Sequence, residues 1–351
     1  MSPKTLAKSL SVLAPRHVIL VLLRRAAAVI GVAGLVAGSV ANAQPASTGS
    51  AQAWPAKPIR VIVDLPPGSA SDLNARLIAV PLQEALGQPV VVENRGGANG
   101  IIAGDLVVKS PADGYTLLMT PGSSIAINPH LYPNMPFDPV KDLTPVAAVV
   151  HGTMLLVIRP DLPAQNIKEF IAYARANPGK LSYGSAGSGS GLHLAAEMLK
   201  SRAGLSAVHV PYRGGAPSLQ ALLAKEIDFN FDAGIALKDI RAGKVRLLAT
   251  GGLRRSRFFP EVPTLDEAGF PGFDGSTTSG YHAPAATQPE VIARLNRDIN
   301  RVLDMPSVRE RIVAITGGEI TPLSPEAFRA ALQGDSKRFG AIIREMNIKA
   351  D

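Results

Sequence analysis

Residues 181–198 read LSYGSAGSGSGLHLAAEM and combine a short apolar run, a loop of Gly, Ser and Ala, and a helical pattern. Leu192, Ala195, Ala196 and Leu199 recur at the spacing of one helix face. A loop of such small residues exposes backbone N–H groups and hydroxyls at the positive end of the helix dipole, where anions bind. The loop contains no Lys or Arg, so it is predicted to hold an anion without a formal counter-charge.

A second segment has the same design near the start of the chain. The apolar run Arg60–Val63 leads into PPGSASD at residues 66–72, and a helical pattern with Leu73, Leu77 and Ile78 follows. Two such loops in one chain predict two walls of a single site.

Short apolar runs alternate with helical patterns along most of the chain. This alternation favours an α/β fold in which parallel sheets are covered by crossover helices. In such sheets ligands bind beyond the carboxyl ends of the strands. Five predicted strands end in small residues, and the corresponding segments are 66–72, 121–124, 184–191, 213–216 and 233–234.

The first 43 residues differ in composition from the rest. They contain five basic and no acidic residues, then an apolar run from Ala26 to Val40 and the small residues Ala41-Asn42-Ala43. This pattern predicts a signal peptide over 1–43, cleaved after Ala43, followed by a flexible leader over 44–53. An uncleaved membrane anchor is the alternative, because Val18–Leu23 is also apolar. A signal peptide predicts secretion to the periplasm.

Removal of the predicted signal peptide lowers the net charge of the chain. The chain has 36 basic and 28 acidic residues, a net charge of +8, and loss of five basic residues leaves 31 against 28, or +3. A net charge of +3 without a clustered basic stripe gives no reason to expect nucleic-acid binding.

Several kinds of chemistry are excluded by residue content and spacing. The chain has no cysteine, so thiolate catalysis and Cys-ligated metals are ruled out. The six histidines are not arranged with carboxylates at metal-ligand spacing, so no metal is expected. The Gly/Ser loop also fails the phosphate-loop and dinucleotide patterns, and no cofactor is expected.

A secreted hydrolase is the enzymatic alternative, with Ser188 or Ser190 as nucleophile. Its Gly-x-Ser-x-Gly turn requires Ser at the centre, whereas GSGSG at 187–191 has Gly there. We therefore expect no catalytic residue.

Three candidate residues and one strand end have a structural and a binding interpretation. His193 either packs and caps its helix or contacts a ligand from the floor of the site. Asp72 either caps a helix or contacts the ligand through water. Asp232 orients a loop or accepts from a ligand amino group, and the Tyr212-Arg213 strand end holds either a solvated charge or a carboxylate clamp.

From Trp54 to Asp351 the chain resembles the Bug-type substrate-binding proteins of tripartite tricarboxylate transporters. Its matching motifs run in order along the chain. They are PIRVIV at 58–63 with Pro67-Gly68 and Asp72, LGQPVVVENR at 86–95, DGYTLL at 113–118, INP at 127–129, LYP at 131–133, FDP at 137–139, VHVPYRG at 208–214, and Pro263-Thr264 with EAG at 267–269.

The resemblance implies a type II periplasmic-binding-protein fold of two α/β lobes with a ligand cleft and two crossover segments. Lobe 1 would span 54–152 plus 278–351, and lobe 2 would span 153–277. The implied ligand is a small carboxylate held by backbone N–H groups, hydroxyls and water. The ligand-binding residues so implied, together with those suggested by the strand ends, are Ser69, Ala70, Ser71, Asp72, Thr120, Ser123, Ser185, Ser188, Gly189, Ser190, His193, Tyr212, Gly214, Gly215, Ala216 and Asp232.

Two departures from the family pattern affect the expected ligand. Ser69 stands where a second Gly is usual, and it adds a hydroxyl. The stretch Ser276–Gly280 lacks the family's aromatic pair, which predicts a roomier or more polar site there. Dicarboxylate, tricarboxylate, amino-acid and aromatic-acid ligands therefore all stay open.

The expected function is capture of the carboxylate and its delivery to the large and small membrane subunits of the transporter by a monomeric binding protein. Lobe closure around the ligand is the expected mechanism. A receptor that presents its ligand to a membrane sensor is the alternative within the same fold.

Overall fold

The computed structural model of the chain describes residues 54–152 and 154–349. The predicted signal peptide and leader lie outside the described residues. The described strands, in chain order, are β1 (Ile59–Val63), β2 (Val90–Asn94), β3 (Thr116–Thr120), β4 (Leu143–Gly152), β5 (Leu155–Ile158), β6 (Leu181–Ser185), β7 (Ala207–Pro211), β8 (Phe229–Asp232), β9 (Arg246–Thr250), β10 (Thr277–Pro284) and β11 (Glu319–Ile320). The α-helices are α1 (Ala70–Leu86), α2 (Ile101–Val108), α3 (Gly122–Leu131), α4 (Ile167–Ala176), α5 (Gly191–Ala203), α6 (Gly215–Leu223), α7 (Leu237–Arg241), α8 (Pro289–Leu303), α9 (Pro306–Thr316) and α10 (Pro325–Glu345).

The strands form two separate sheets. A six-stranded sheet has the order β11-β4-β10-β3-β1-β2, and a five-stranded sheet has the order β7-β6-β8-β5-β9. We call the first sheet with its helices lobe 1 and the second with its helices lobe 2. The chain passes from lobe 1 to lobe 2 between β4 and β5 and returns between β9 and β10, which gives two crossovers. The predicted lobe boundaries at 152/153 and 277/278 stay a prediction.

The sheets are mixed, and the expectation of wholly parallel sheets is wrong. β1, β2 and β3 are parallel, but β10 runs antiparallel to both β3 and β4. In lobe 2, β5 is likewise antiparallel to β8 and β9. β5 and β10 are the first strands after the two crossovers, and β11 also pairs antiparallel with β4.

Each parallel strand is followed by a helix whose apolar face covers the sheet. Ile78, Leu82 and Leu86 lie on one face of α1 and are buried with Val61 and Val63 of β1. In α8, Leu295, Ile299 and Val302 join the same core. Burial of such side chains contributes about 1.5–3 kcal/mol each.

One helix of lobe 1 also packs into the core of lobe 2. Phe339, Ile342 and Ile343 of α10 are buried in the same apolar cluster as Leu194 and Leu199 of α5. Arg338 donates hydrogen bonds to Asp274 and to the carbonyl oxygen of Ser276 on the returning crossover. The C-terminal helix therefore contacts both lobes, and its predicted assignment to lobe 1 stays a prediction.

Candidate functional site

A cavity of about 120 Å³ lies between the two lobes, at the carboxyl ends of the strands. Both lobes and both crossovers supply its wall. Its lining residues are Leu65, Ser69, Ala70, Ser71, Asn74, Asn99, Pro121, Ser123, Ser124, Val150, Gly152, Met154, Ala186, Ser190, Gly191, Leu192, Gly215, Ala233, Ile235, Thr277, Ser279 and Thr316. Among these described lining residues, none carries a charged side chain.

Four helices begin at this cavity. The first turns of α1 and α3 reach it from lobe 1, and those of α5 and α6 reach it from lobe 2. The backbone N–H groups of a first helical turn have no partner within the helix and carry partial positive charge. The cavity is therefore suited to an anion although its wall contains no cation.

The helix starts differ in how their N–H groups are satisfied. The Ser69 hydroxyl accepts from the N–H of Asp72 in α1, and the Ser190 hydroxyl accepts from the N–H of His193 in α5. α3 and α6 have no side-chain cap and begin after Pro121 and Gly214. The start of α6 is consequently the most open backbone donor site on the lobe 2 wall.

Asp72 lies behind the lobe 1 wall. One carboxylate oxygen accepts from the backbone N–H of Gly68, and the other accepts from Arg76 and Asn94. Because both oxygens are occupied by groups of the same lobe, the position of Asp72 supports the structural interpretation: it fixes the 66–72 loop.

Asp64, at the end of β1, is a buried carboxylate that sequence reasoning missed. One of its oxygens accepts from the hydroxyls of Thr120 and Ser124, at 2.6 and 2.9 Å. Burial raises the pKa of Asp64 to about 6, and the two hydroxyls limit the rise. Thr120 is therefore engaged beneath the cavity, whereas Ser124 also lines it.

The Gly/Ser loop of lobe 2 is held from behind by two histidines. The N–H of Gly189 donates to Nδ1 of His193, and Ser185 Oγ lies 2.7 Å from Nε2 of His209. The two imidazole rings stack with centroids 4.2 Å apart, and Tyr183 stacks beside them. His193 thus supports the loop rather than forming the cavity surface, which favours its packing interpretation.

The lobes touch each other at the rim of the cavity. The Asn99 side chain of lobe 1 donates to the carbonyl oxygen of Gly189, and the Tyr132 hydroxyl donates to that of Ser188. Gly189 has φ +78°, and a Cβ there would lie 3.0 Å from the Leu131 side chain. A glycine at this position therefore permits both the backbone turn and the approach of the lobes.

Asp232 lies beneath the loop that carries the lobe 2 wall of the cavity. Its carboxylate accepts from the N–H groups of Gly234 and Ala236, at 2.7 and 2.9 Å. Burial raises its pKa to about 6. These bonds shape the loop that places Ala233 and Ile235 on the cavity wall, so the loop-orienting interpretation is favoured.

The structure brings six of the sixteen sequence-predicted residues to the cavity wall, namely Ser69, Ala70, Ser71, Ser123, Ser190 and Gly215. The other ten are not among the lining residues, and they are Asp72, Thr120, Ser185, Ser188, Gly189, His193, Tyr212, Gly214, Ala216 and Asp232. At Gly214, φ is +112° and a Cβ would lie 2.8 Å from the Pro66 side chain.

Several lining residues were missed at the level of sequence. Asn74 lies one helical turn after Ala70, so the i, i+4 rule could have found it. Asn99 follows β2 in the segment GGANG at 96–100, which is another small-residue strand end. Thr277 and Ser279 of β10 line the cavity in the stretch that lacks the family's aromatic pair, so the wall there is polar.

Two further findings concern membrane spans and metal sites. Within residues 54–152 and 154–349, no helix combines the length and the apolar character that a membrane span requires. In the same part of the chain, no three His, Asp or Glu side chains are grouped so that they could hold a metal ion.

Two lobes, two crossovers and a cavity lined by helix starts define a periplasmic binding protein of type II, as the family resemblance implied. Residues 74–348 match the family model described as the tripartite tricarboxylate transporter family receptor. The chain therefore belongs to this receptor family of periplasmic solute-binding proteins, and it is a binding protein rather than an enzyme.

Individual relatives agree with this assignment. The chain is 37% identical to protein BugT of Bordetella pertussis over 312 residues, which cover 88% of this chain and 95% of BugT. The structure of Rpa4515 of R. palustris with adipate superposes with a TM-score of 0.80 at 32% identity, over 85% of this chain and 100% of that one. The structure of MatC of Rhodopseudomonas palustris with bound malate superposes with a TM-score of 0.78 at 30% identity, over 82% of this chain and 99% of that one.

Proposed function

We propose that this protein captures a small carboxylate in the periplasm and delivers it to the membrane subunits of a tripartite tricarboxylate transporter. The observation that carries the proposal is the cavity between the lobes, where four helix starts converge and no charged side chain lines the wall. A carboxylate is the small organic anion that such N–H groups and hydroxyls suit. The adipate and malate complexes of the two structural relatives support this ligand class.

The contacts at the rim support capture by closure. Asn99 and Tyr132 of lobe 1 bond to backbone carbonyl oxygens of lobe 2 only when the lobes approach each other. A ligand that contacts both walls stabilises this approach, because it binds the closed arrangement better than the open one. The closed arrangement is then the form that the large and small membrane subunits would recognise, with the binding protein acting as a monomer.

A thermal-shift screen of the purified protein tests the proposal. The panel contains monocarboxylates, dicarboxylates, tricarboxylates, amino acids and aromatic acids, with the matching amides as uncharged controls. A ligand at a hundredfold excess over its Kd stabilises the folded protein by about 2.7 kcal/mol. We expect at least one carboxylate to raise the Tm while its amide does not; a panel without any response would contradict the proposal.

A further inference from the structure

His193 lies beneath the Gly/Ser loop, and its ring accepts a hydrogen bond from the backbone of that loop. The residue is 7% exposed and stands in the first turn of α5. The N–H of Gly189 donates to Nδ1 of His193 at 3.1 Å. A ring nitrogen that accepts a hydrogen bond carries no proton, so this contact requires the neutral imidazole with its proton on Nε2.

Gly189 connects this ring to the ligand cavity. Its carbonyl oxygen accepts from Asn99 of lobe 1 at 2.9 Å, while its N–H bonds to His193. The next two residues, Ser190 and Gly191, line the cavity, and the Ser190 hydroxyl accepts from the backbone N–H of His193. One short segment therefore carries part of the lobe 2 wall, a contact between the lobes and the bond to the imidazole.

Glu197 faces the other nitrogen of the ring. Its Oε1 lies 3.8 Å from Nε2 of His193. Burial opposes ionisation of this carboxyl, but hydrogen bonds from Lys200 and Tyr183 hold the pKa of Glu197 below its ordinary value. An ionised carboxylate on this side favours a proton on Nε2, which is the tautomer that the bond from Gly189 requires.

The other titratable groups around the ring come from neighbouring elements. The His209 ring of β7 stacks on that of His193 with centroids 4.2 Å apart, and Tyr183 of β6 stacks beside both. Two stacked imidazoles repel each other when both are charged. Of the other elements packed on α5, β8 ends in Asp232, which accepts from two loop N–H groups, and α3 is followed by Tyr132, which donates to a loop carbonyl oxygen.

We propose that the neutral imidazole of His193 positions the Gly/Ser loop for ligand binding, so that protonation of His193 weakens binding of the carboxylate. The inference rests on the proposed function and names a regulation of its site. A proton on Nδ1 would set two donors against each other, and the Gly189 N–H would lose its acceptor. Because the closed arrangement requires the neutral ring, proton and ligand compete, and affinity falls as the pH falls through the range of about 8 to 5 in which imidazoles titrate.

Titration calorimetry at pH 7.5 and pH 5.5 tests the inference. The probe is the carboxylate that raises the Tm most in the thermal-shift panel, and the proteins are the wild type, His193→Asn and His193→Leu. The amide oxygen of asparagine accepts a hydrogen bond as Nδ1 does, but it does not titrate. Between the two pH values the wild type should lose at least about fivefold more affinity than His193→Asn, as loss of one hydrogen bond predicts. Titration of the probe and of other carboxyl groups is common to both proteins and cancels in this comparison.

The two substitutions separate the acceptor from the bulk of the ring. At pH 7.5, His193→Asn should bind the probe within about threefold of the wild type, whereas His193→Leu should bind at least about fivefold more weakly at both pH values. His130→Asn is the matched control, because His130 bonds to Ser336 of α10 in lobe 1. This control should keep the affinity and the pH dependence of the wild type.

Equal pH dependence in the wild type and in a folded His193→Asn would overturn the inference while leaving carboxylate capture intact. If neither variant folds by circular dichroism, NMR of the wild type decides. The Gly189 amide signal should then shift with the same pH midpoint as the His193 ring, and an amide that does not respond would contradict the bond between them. Absence of any response in the whole panel would overturn the proposed function as well.

Discussion

The two walls of the cavity are built from the same parts but differ in how their helix starts are capped. In lobe 1, α1 has Asp72 in its first turn, and Asp64 bonds to Ser124 at the start of α3. In lobe 2 the starts of α5 and α6 have no acidic residue in their first turns. Each wall nevertheless keeps one helix start without a side-chain cap, α3 in lobe 1 and α6 in lobe 2. The lesson is that the fold itself supplies backbone donors on both walls.

The largest expected effect comes from preventing the walls from meeting. Gly189→Leu adds a side chain where a Cβ would lie 3.0 Å from Leu131 and 3.1 Å from the Tyr132 hydroxyl. We expect ligand affinity to fall by at least about a hundredfold, or about 2.7 kcal/mol, because the lobes cannot close. Calorimetry measures the affinity and circular dichroism checks the fold.

Gly334→Leu is the matched control for this change. Gly334 is exposed in α10, and a Cβ there meets nothing within 4 Å. Gly334→Leu should bind the ligand with the affinity of the wild type. Normal binding by Gly189→Leu itself would show that the rim contact between the lobes is not part of the site.

Asp64→Asn tests the effect of the buried Asp64 carboxyl on stability. Its pKa is raised to about 6 from 3.8 by burial, so the folded state binds the proton more tightly between those pH values. The free energy of unfolding of the wild type therefore falls as pH rises from about 4 to about 6, by about 2–3 kcal/mol from this group. The Asn variant lacks this loss.

Urea unfolding at pH 4 and pH 7 measures the difference. Asp64→Asn should gain stability relative to the wild type by about 2 kcal/mol between the two pH values. Asp304→Asn, where the side chain is 66% exposed, controls for removal of one negative charge. If the stability difference between Asp64→Asn and the wild type were the same at pH 4 and pH 7, the Asp64 carboxyl would have an ordinary pKa.

Gly215→Asp places an acidic residue in the first turn of α6, where α1 has Asp72. The Cβ would have only ordinary contacts, at 3.6 Å or more, with Leu192 and Ile235. A carboxylate at the start of α6 competes for the N–H groups and repels the ligand, so we expect affinity for a carboxylate to fall about tenfold below that of Gly215→Asn. The Asn variant has the same shape without the charge, and equal affinities in calorimetry would argue against anion binding at α6.

Asn99→Ala removes one contact between the walls. Its amide donates to the carbonyl oxygen of Gly189 at 2.9 Å and to Oδ1 of Asn128 at 2.6 Å. Loss of a hydrogen bond of about 1 kcal/mol should weaken ligand binding about fivefold, mainly through faster dissociation. Stopped-flow displacement measures the rate, and Asn134→Ala serves as the control; an unchanged dissociation rate would show that Asn99 does not hold the lobes together.

The sequence allowed the loops to be located but not the direction in which their side chains point. Strand-end rules identified the loops around Ser69, Ser123, Ser190 and Gly215, and these residues lie on the cavity wall. They could not separate Ser190 from Ser185, five residues earlier, which bonds to a histidine below the loop. That distinction depends on side-chain packing between elements far apart in the chain.

Two elements, α3 and β10, have weak signals in the local sequence. α3 contains Pro129 and begins with Gly122, so its helical pattern is weak, and the polar start of β10 reads as a loop. Asp64 stands at the end of an apolar strand, where neither periodicity nor spacing indicates burial. Its partners, Thr120 and Ser124, are about sixty residues away and come together only in the folded sheet.

A crystal structure with the carboxylate that raises the Tm most tests the central claim most directly. The account predicts that the carboxylate group lies between the lobes, within about 3 Å of backbone N–H groups at the helix starts that line the cavity. A carboxylate bound outside this cavity would contradict it.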